Sequence, residues 1–284
     1  MECAFAFTAR CTRADNPVVE TLNAILLGAI QGLTEFLPVS SSGHLVLASH
    51  LMGRQIEDGG TALSVLLHLG SLLAILIVFR KDILALFLPR VAWRRLALLV
   101  MVSVPAVIAG AAIKLGLDEM QVNWVEAHVL QSPWVAACGL LFTALILWLA
   151  EKPRQPRVTL DARGREFWMA ALVGVAQAVA ILPGVSRSGA TICTALMLCW
   201  VRSDAVRLSF LMGVVAIGGA GLVEARNIAH FDAAPALGGF ASSLMFSLIG
   251  LGAVKLVVAK QKLRWFSVYC ALAGVAALVW LLFR

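Results

Sequence analysis

Charge is scarce in this chain. Asp, Glu, Lys and Arg make up 14% of its 284 residues, where soluble domains carry about 25%. The apolar set AVILMFWYC reaches 61%, against roughly 45–50% for a similar set in soluble domains, and the mean hydropathy is +0.90. A domain of this size cannot hide so much apolar surface from water. A soluble enzyme, a secreted disulfide scaffold and a disordered tail are therefore excluded, and a lipid environment is implied. Paired cysteine is missing as well: Cys3, Cys11, Cys138, Cys193, Cys199 and Cys270 form no CxxC. The four that lie in apolar runs are expected as small buried hydrophobes. A basic face for nucleic acid is also lacking, although the net charge is +7. Lys and Arg gather instead in three gaps between apolar runs: Arg80, Lys81, Arg90, Arg94 and Arg95; Lys152, Arg154, Arg157, Arg163 and Arg165; Lys260, Lys262 and Arg264. This is the positive-inside pattern of an inner-membrane protein. Residues 1–16 show no small-residue cleavage site and are expected as a disordered extension or the product of an early start codon.

A bilayer crossing needs about 20 apolar residues. Full spans are predicted near 61–79, 95–115, 133–150, 205–226, 238–258 and 264–283. Two further regions, 18–53 and 167–200, begin as membrane helices but break at Pro38 and at Pro183-Gly184. Each then passes a Ser-rich turn into a short apolar piece, Leu45 to Met52 and Ala190 to Trp200, which should re-enter the membrane and return. The two regions are copies. A shift of 146 residues carries Gly28 onto Gly174, Gln31 onto Gln177, Ser40 onto Ser186, Ser42 onto Ser188 and Gly43 onto Gly189. With the basic gaps placed in the cytoplasm, the copies enter from opposite faces. The expected fold is an all-α polytopic membrane protein, an inverted-topology repeat with two broken or re-entrant helix regions and about six full spans. It is one membrane domain over 17–284, with repeat 1 about 18–115, repeat 2 about 164–261 and a last span at 264–283. Broken helices of such repeats meet near the midplane, where irregular backbone is tolerated only around a site.

The first broken region supplies Gln31, Glu35, Ser40, Ser41, Ser42, Gly43 and His44. Gln31 and Glu35 share a helical face at i, i+4. The second supplies Ser186, Arg187, Ser188, Gly189 and Thr191. A charge at the bilayer centre costs about 2.5–3.5 kcal/mol even on the lenient scale, so Glu35 and Arg187 need partners or a ligand. The guanidinium fork and the Ser-Gly turns at helix starts suit phosphate or pyrophosphate. A hydrocarbon tail on that ligand suits the lipid setting.

GAIQGLTEFLPVSSSGHL (28–45) and PGVSRSGAT (183–191) resemble the two signature motifs, [E/Q]xxxE and PGxSRSxxT, of the undecaprenyl-pyrophosphate phosphatases, the bacitracin-resistance family. The similarity covers 18–284. It implies hydrolysis of undecaprenyl pyrophosphate to the monophosphate carrier for cell-wall synthesis, with a divalent cation, Mg²⁺ or Ca²⁺. Bacitracin would compete for that substrate, membrane lipid would surround the protein, no nucleic acid is involved, and a homodimer is left open. By motif, Gln31 and Glu35 are the pair near the cation, Ser41 and His44 the nucleophile and proton-transfer candidates, and Arg187 the phosphate clamp. Ser40, Ser42, Gly43, Ser186, Ser188, Gly189 and Thr191 line the pyrophosphate pocket. Gln31 stands where many members have Glu, which excludes a two-carboxylate metal site.

Among the roles the resemblance implies, Ser41 is favoured as nucleophile with Glu35 or His44 accepting its proton, while attack by His44 or by activated water stays open. His50, His68, His128 and His230 lack charged partners at motif spacing and are expected to be structural. The tryptophans are expected as interfacial anchors near span ends, and Glu224 and Lys255 as snorkelling side chains. The rival reading is a polyprenyl-phosphate transporter or flippase, because inverted repeats with broken helices also build transporters. The second copy lacks the Glu35/His44 pair, with Ile181 and Ala190 in their places, which favours an enzyme with its site on the outer face.

Overall fold

The computed structural model describes residues 17–51, 60–85, 92–152, 155–156, 158–160, 166–224 and 233–283; the expected extension at 1–16 and His230 lie outside them. The regular elements among these residues are helices: α1 (Pro17–Phe36), α2 (Ser41–Leu51), α3 (Gly60–Val78), α4 (Arg80–Ala85), α5 (Ala92–Leu115), α6 (Glu119–Val125), α7 (Pro133–Ala150), α8 (Glu166–Val179), α9 (Arg187–Met197), α10 (Arg202–Glu224), α11 (Ala233–Ala259) and α12 (Leu263–Leu282). A π-helical turn, Glu126–Leu130, continues α6.

Both broken regions take the expected form of a helix, a four- to seven-residue turn and an eleven-residue helix. The short helices start at Ser41 and Arg187, ahead of the apolar residues, because the Ser40 and Ser186 hydroxyls accept from the Gly43 and Gly189 amides at 3.3 and 3.1 Å. Among the described residues, four helices are long and apolar enough to cross a membrane, within α5, α7, α11 and α12. The predicted span at 61–79 is the 19-residue α3. That at 205–226 is α10, whose first turns carry Arg202, Asp204 and Arg207.

Polarity is distributed as lipid demands. Val107, Ile108, Leu256 and Leu272 are exposed on the outer faces of α5, α11 and α12, while Ser71, Ser243 and Ser247 are fully buried. Ser247 donates to Ser71 at 3.0 Å, and Ser243 donates to the Leu67 carbonyl at 2.6 Å, so each of these three hydroxyls has a partner. Trp93, Trp134, Trp148, Trp168 and Trp265 are exposed near helix ends. Trp200 departs from the expected anchoring role: it is the largest fully buried side chain, packed with Val158 and α5. Cys193 and Cys270 are buried as expected, Cys199 is half-buried, and Cys138 is exposed on α7, because its position on the helix faces away from the α12 contact.

α1 lies along α11 and α8 along α5. Gly28 and Gly174, 146 positions apart, make both contacts close: a Cβ on Gly28 would strike the Gly239 carbonyl oxygen, and one on Gly174 would meet the Val102 carbonyl at 2.5 Å. Small residues let membrane helices approach where no hydrophobic drive separates helix from lipid.

α7 is the pedestal for the second turn. Thr143 Oγ1 donates to the Gly184 carbonyl and accepts from the Ser186 amide, both at 2.9 Å. Gly184 has φ +84°, and a side chain there would collide with the Ala136 carbonyl. A Cβ on Gly43 would in turn sit 2.7 Å from Gly184 Cα; the tips of the two hairpins touch. Gly184→Ala should therefore cost about 1–3 kcal/mol and lower the thermal midpoint in detergent by several degrees. Gly219→Ala, with nothing within 4 Å of its Cβ, should leave the midpoint in place. Equal midpoints for the two variants would contradict the packing described.

Candidate active site

The site forms where the tips meet. Glu35 ends α1 and points into the protein, 8% exposed. Its Oε1 accepts from Arg187 Nη2 at 2.6 Å, across 152 residues of sequence. Its Oε2 accepts from Ser41 Oγ at 2.6 Å and from Gln31 Nε2 at 3.0 Å. The α1 face predicted by i, i+4 spacing is thus a hydrogen bond, and the first hairpin folds its own serine onto its own acid. The acid and the cation neutralise one another in a buried setting where either alone would be costly.

Arg187 is held from the second unit. Its carbonyl accepts from Thr191 Oγ1 at 2.8 Å, and Thr191 pairs with Ser209 Oγ at 2.7 Å. Since the Thr191 proton goes to the carbonyl, Ser209 is the donor in that pair. Arg187 Nη1 reaches the Ser209 carbonyl at 3.4 Å. Gly213 of α10 lies directly beneath the guanidinium: a Cβ there would overlap Nη1. Sequence spacing gave no sign of Ser209 or Gly213, whose role exists only once α10 packs on α9.

The remaining predicted pocket residues divide by use. Ser40 and Ser186 cap the short helices and pair with Ser42 and Ser188 at 3.3 Å each, a correspondence that follows the 146-residue shift. Ser188 also donates to the Leu37 carbonyl at 3.2 Å, tying the second turn to the first. Ser42 is exposed, and Gly43 and Gly189 are buried. Ser40 holds a left-handed φ of +68°, a strained state at the turn that carries the nucleophile candidate. With each cap hydroxyl on the third amide, helix geometry leaves the first two amides of α2 and of α9 without an intrahelical acceptor. Two such helix starts facing one place suit an anion.

His44 faces elsewhere. Its Nδ1 lies 2.7 Å from the Ser40 carbonyl and its Nε2 2.7 Å from the Tyr269 hydroxyl of α12. The two rings stack with an interplanar angle of 4°. His68, expected to have no charged partner, is the correction at this site: its Nε2 stands 4.0 Å from Glu35 Oε2. The contact joins α3 to α1 over 33 residues, beyond any motif spacing. His128, by contrast, stacks on Trp124 and bonds that residue's carbonyl at 3.0 Å, a structural role as expected. Lys255 sits 4.4 Å over the Phe79 ring.

For a metal, the donor set is small. Among the described residues no group of three His, Cys, Asp or Glu could cage an ion. Gln31 Oε1, however, is buried without a hydrogen-bond partner, and the Glu35 carboxylate, with about four lone-pair sites, has three donors on it. Gln31 Oε1 and a Glu35 oxygen are hard donors that fit an ion taking its other ligands from phosphate and water, the habit of Mg²⁺.

The family model described as bacitracin resistance protein BacA matches residues 24–276. An undecaprenyl-diphosphatase of Carboxydothermus hydrogenoformans is 37% identical over 269 residues, covering 92% of this chain and 97% of that protein. One of Desulfosudis oleivorans is 40% identical, covering 90% and 97%, and one of Methanosphaera stadtmanae is 34% identical, covering 92% and 98%. With both turns inside the matched residues and nearly the full length of each relative covered, the chain belongs to the bacitracin resistance protein BacA family.

Proposed function

We propose that this protein hydrolyses undecaprenyl pyrophosphate to undecaprenyl phosphate and inorganic phosphate, returning the lipid carrier to cell-wall synthesis. One observation carries the chemistry: Ser41 Oγ donates to Glu35 Oε2 at 2.6 Å while Arg187 holds the other carboxylate oxygen at 2.6 Å. A hydroxyl on a carboxylate is a nucleophile with its base in place. Ser41 Oγ attacks the terminal phosphorus as Glu35 takes its proton, and undecaprenyl phosphate departs with the electrons of the broken P–O bond. Water then hydrolyses the phosphoserine. Arg187 and the two helix starts stabilise charge on the transferring group, which is most of what a loose phosphoryl transition state requires.

His44 is a weaker nucleophile candidate in this arrangement, since both its ring nitrogens are engaged. Gln31 and Glu35 would hold a divalent cation, Mg²⁺ or Ca²⁺, shared with pyrophosphate oxygens. When bound, such an ion neutralises charge on the substrate. The hydroxyls of Ser40, Ser42, Ser186, Ser188 and Thr191 and the backbone at Gly43 and Gly189 complete the head-group pocket. Bacitracin would compete for the same pyrophosphate.

The reading extends to topology. The reciprocal packing of α1 on α11 and α8 on α5 and the paired serine caps support an inverted repeat of about 18–115 and 164–261 with six full spans. The basic gaps then lie in the cytoplasm and the site opens to the periplasmic side. A transporter needs no nucleophile, and the Ser41–Glu35 bond has no counterpart in the second unit, where Glu35 maps to Ile181.

Phosphate release by purified protein in detergent tests the enzyme reading. Ser41→Ala and Glu35→Gln should each lose about 10²–10⁴-fold in kcat, and Arg187→Ala about 10²–10³-fold. Gly213→Ala, which leaves every reacting group present but displaces the guanidinium, should also fall well below wild type. Binding without turnover in the wild type would instead support a carrier. For topology, Ser42→Cys in a chain otherwise free of cysteine should react with an impermeant maleimide from the outside; labelling from the cytoplasm alone would contradict the external site.

A further inference from the structure

The two serine turns differ at one backbone angle. Ser40 and Ser186 stand 146 positions apart, and each accepts a glycine amide on its hydroxyl at the head of an eleven-residue helix. Ser186 keeps an ordinary φ of −70°. Ser40 is left-handed at +68°, a state that a serine holds only where its surroundings over-determine it.

Those surroundings differ at the fourth residue of each short helix. In the second turn this residue is Ala190, whose backbone amide closes the first helical bond onto the Ser186 carbonyl at 2.7 Å. In the first turn it is His44. Its amide stands back at 3.3 Å from the Ser40 carbonyl, and its imidazole takes the close place, with Nδ1 2.7 Å from that oxygen. A carbonyl only accepts, so Nδ1 carries the hydrogen and Nε2 offers a lone pair. The Tyr269 hydroxyl, 2.7 Å away, is therefore the donor to Nε2, and the near-parallel rings fix the plane of the imidazole.

Tyr269 stands on a braced helix. α12 lies along α7, and Ser267, two residues before the tyrosine, donates to the Ala144 carbonyl of α7 at 2.7 Å. Cys270, the next residue, donates through Sγ to the Pro38 carbonyl of the first turn at 3.6 Å. α7 in turn holds the second turn through Thr143. The first turn thus has its own support, supplied by α12.

We propose that Tyr269 is a positioning residue for the hydrolysis: through His44 it holds Ser40 left-handed and so aims the adjacent Ser41 at Glu35. This rests on the reading of Ser41 as nucleophile. The contacts run from the Tyr269 hydroxyl to His44 Nε2, from His44 Nδ1 to the Ser40 carbonyl, and across one peptide bond to Ser41, whose Oγ meets Glu35 Oε2 at 2.6 Å. Reacting groups keep their aim when hydrogen bonds behind them lock their geometry. His44 then serves without transferring a proton. The asymmetry of the two turns follows as well, since Arg187 stands at the position of Ser41 in the second turn, where no nucleophile needs aiming.

The test uses full-length protein in detergent with lipid pyrophosphate as substrate. Values of kcat and KM are compared for Tyr269→Phe and His44→Ala on three backgrounds, wild type, Ser40→Gly and Ser40→Asn, with Ser41→Ala alongside. Tyr269→Phe keeps the ring and its stack and removes a single hydroxyl. It should lower kcat about 3- to 10-fold, the worth of one hydrogen bond, and His44→Ala should lower it about 10- to 100-fold. KM should change little in both, because Arg187 and the two helix starts are untouched. Glycine and asparagine accept the left-handed state more readily than serine and still cap a helix. On those backgrounds both losses should therefore shrink severalfold. Losses of the same size on all three backgrounds overturn the proposal and place His44 in the chemistry itself, and Tyr269→Phe at the wild-type rate overturns it too. Retained phosphate release in Ser41→Ala sinks the serine reading, whereas an inert Ser41→Ala beside an unimpaired Tyr269→Phe sinks the positioning role alone.

Discussion

An acid and a base held together inside a hydrocarbon slab are the constraint from which the rest of this molecule follows. Glu35 and Arg187 come from different hairpins, and neither is affordable at membrane depth without the other. Their 2.6 Å contact requires that both turns reach the same point, that the turns be short and tight, and that nothing bulky intervene. The glycines and serines at 40–43 and 184–189 meet those demands. Gly184 accepts a backbone angle that other residues resist, and the serine hydroxyls replace the amide partners that a helix start lacks.

The scaffold around the pair is built to aim it. α7 grips the second turn through Thr143, while α10 supports Arg187 from below with Gly213 and from the side with Ser209. α1 lies along α11 and α8 along α5, so the helices that lead into the two turns cannot separate without exposing these long interfaces. A membrane protein has no hydrophobic drive to press helices together. Close backbone contact at Gly28 and Gly174 and interhelical hydroxyl bonds such as Ser242 to Ile25, at 2.7 Å, do that work instead. The carboxylate that balances Arg187 is also the acceptor for Ser41.

Much of this was legible in the sequence, for a physical reason. Lipid forbids unpaired backbone and isolated charge, so a proline break, a run of serines and a lone arginine inside apolar runs mark the site by their cost. The hairpins, the Gln31–Glu35 face and the meeting of Glu35 with Arg187 were all recoverable from spacing and composition. What was hidden depends on helices distant in sequence. His68 looked unpartnered because its partner lies on another helix. His44 looked free for chemistry because nothing nearby announced Tyr269. Trp200 was expected at an interface and is buried because the chain after α9 turns back under α5. The start of the short helices was misjudged by a few residues, since a hydrophobic count begins at the first apolar side chain while a helix begins at its cap.

A double-mutant cycle on Glu35 and Arg187, read as unfolding free energy in detergent, tests the central pairing most directly. If the two side chains share one buried contact, Glu35→Gln and Arg187→Gln should each cost about 3–5 kcal/mol, and the double variant should cost less than their sum by about 0.5–3 kcal/mol. Strictly additive losses would mean that the two hairpins do not meet through this pair, and the account of the site built on them would not stand.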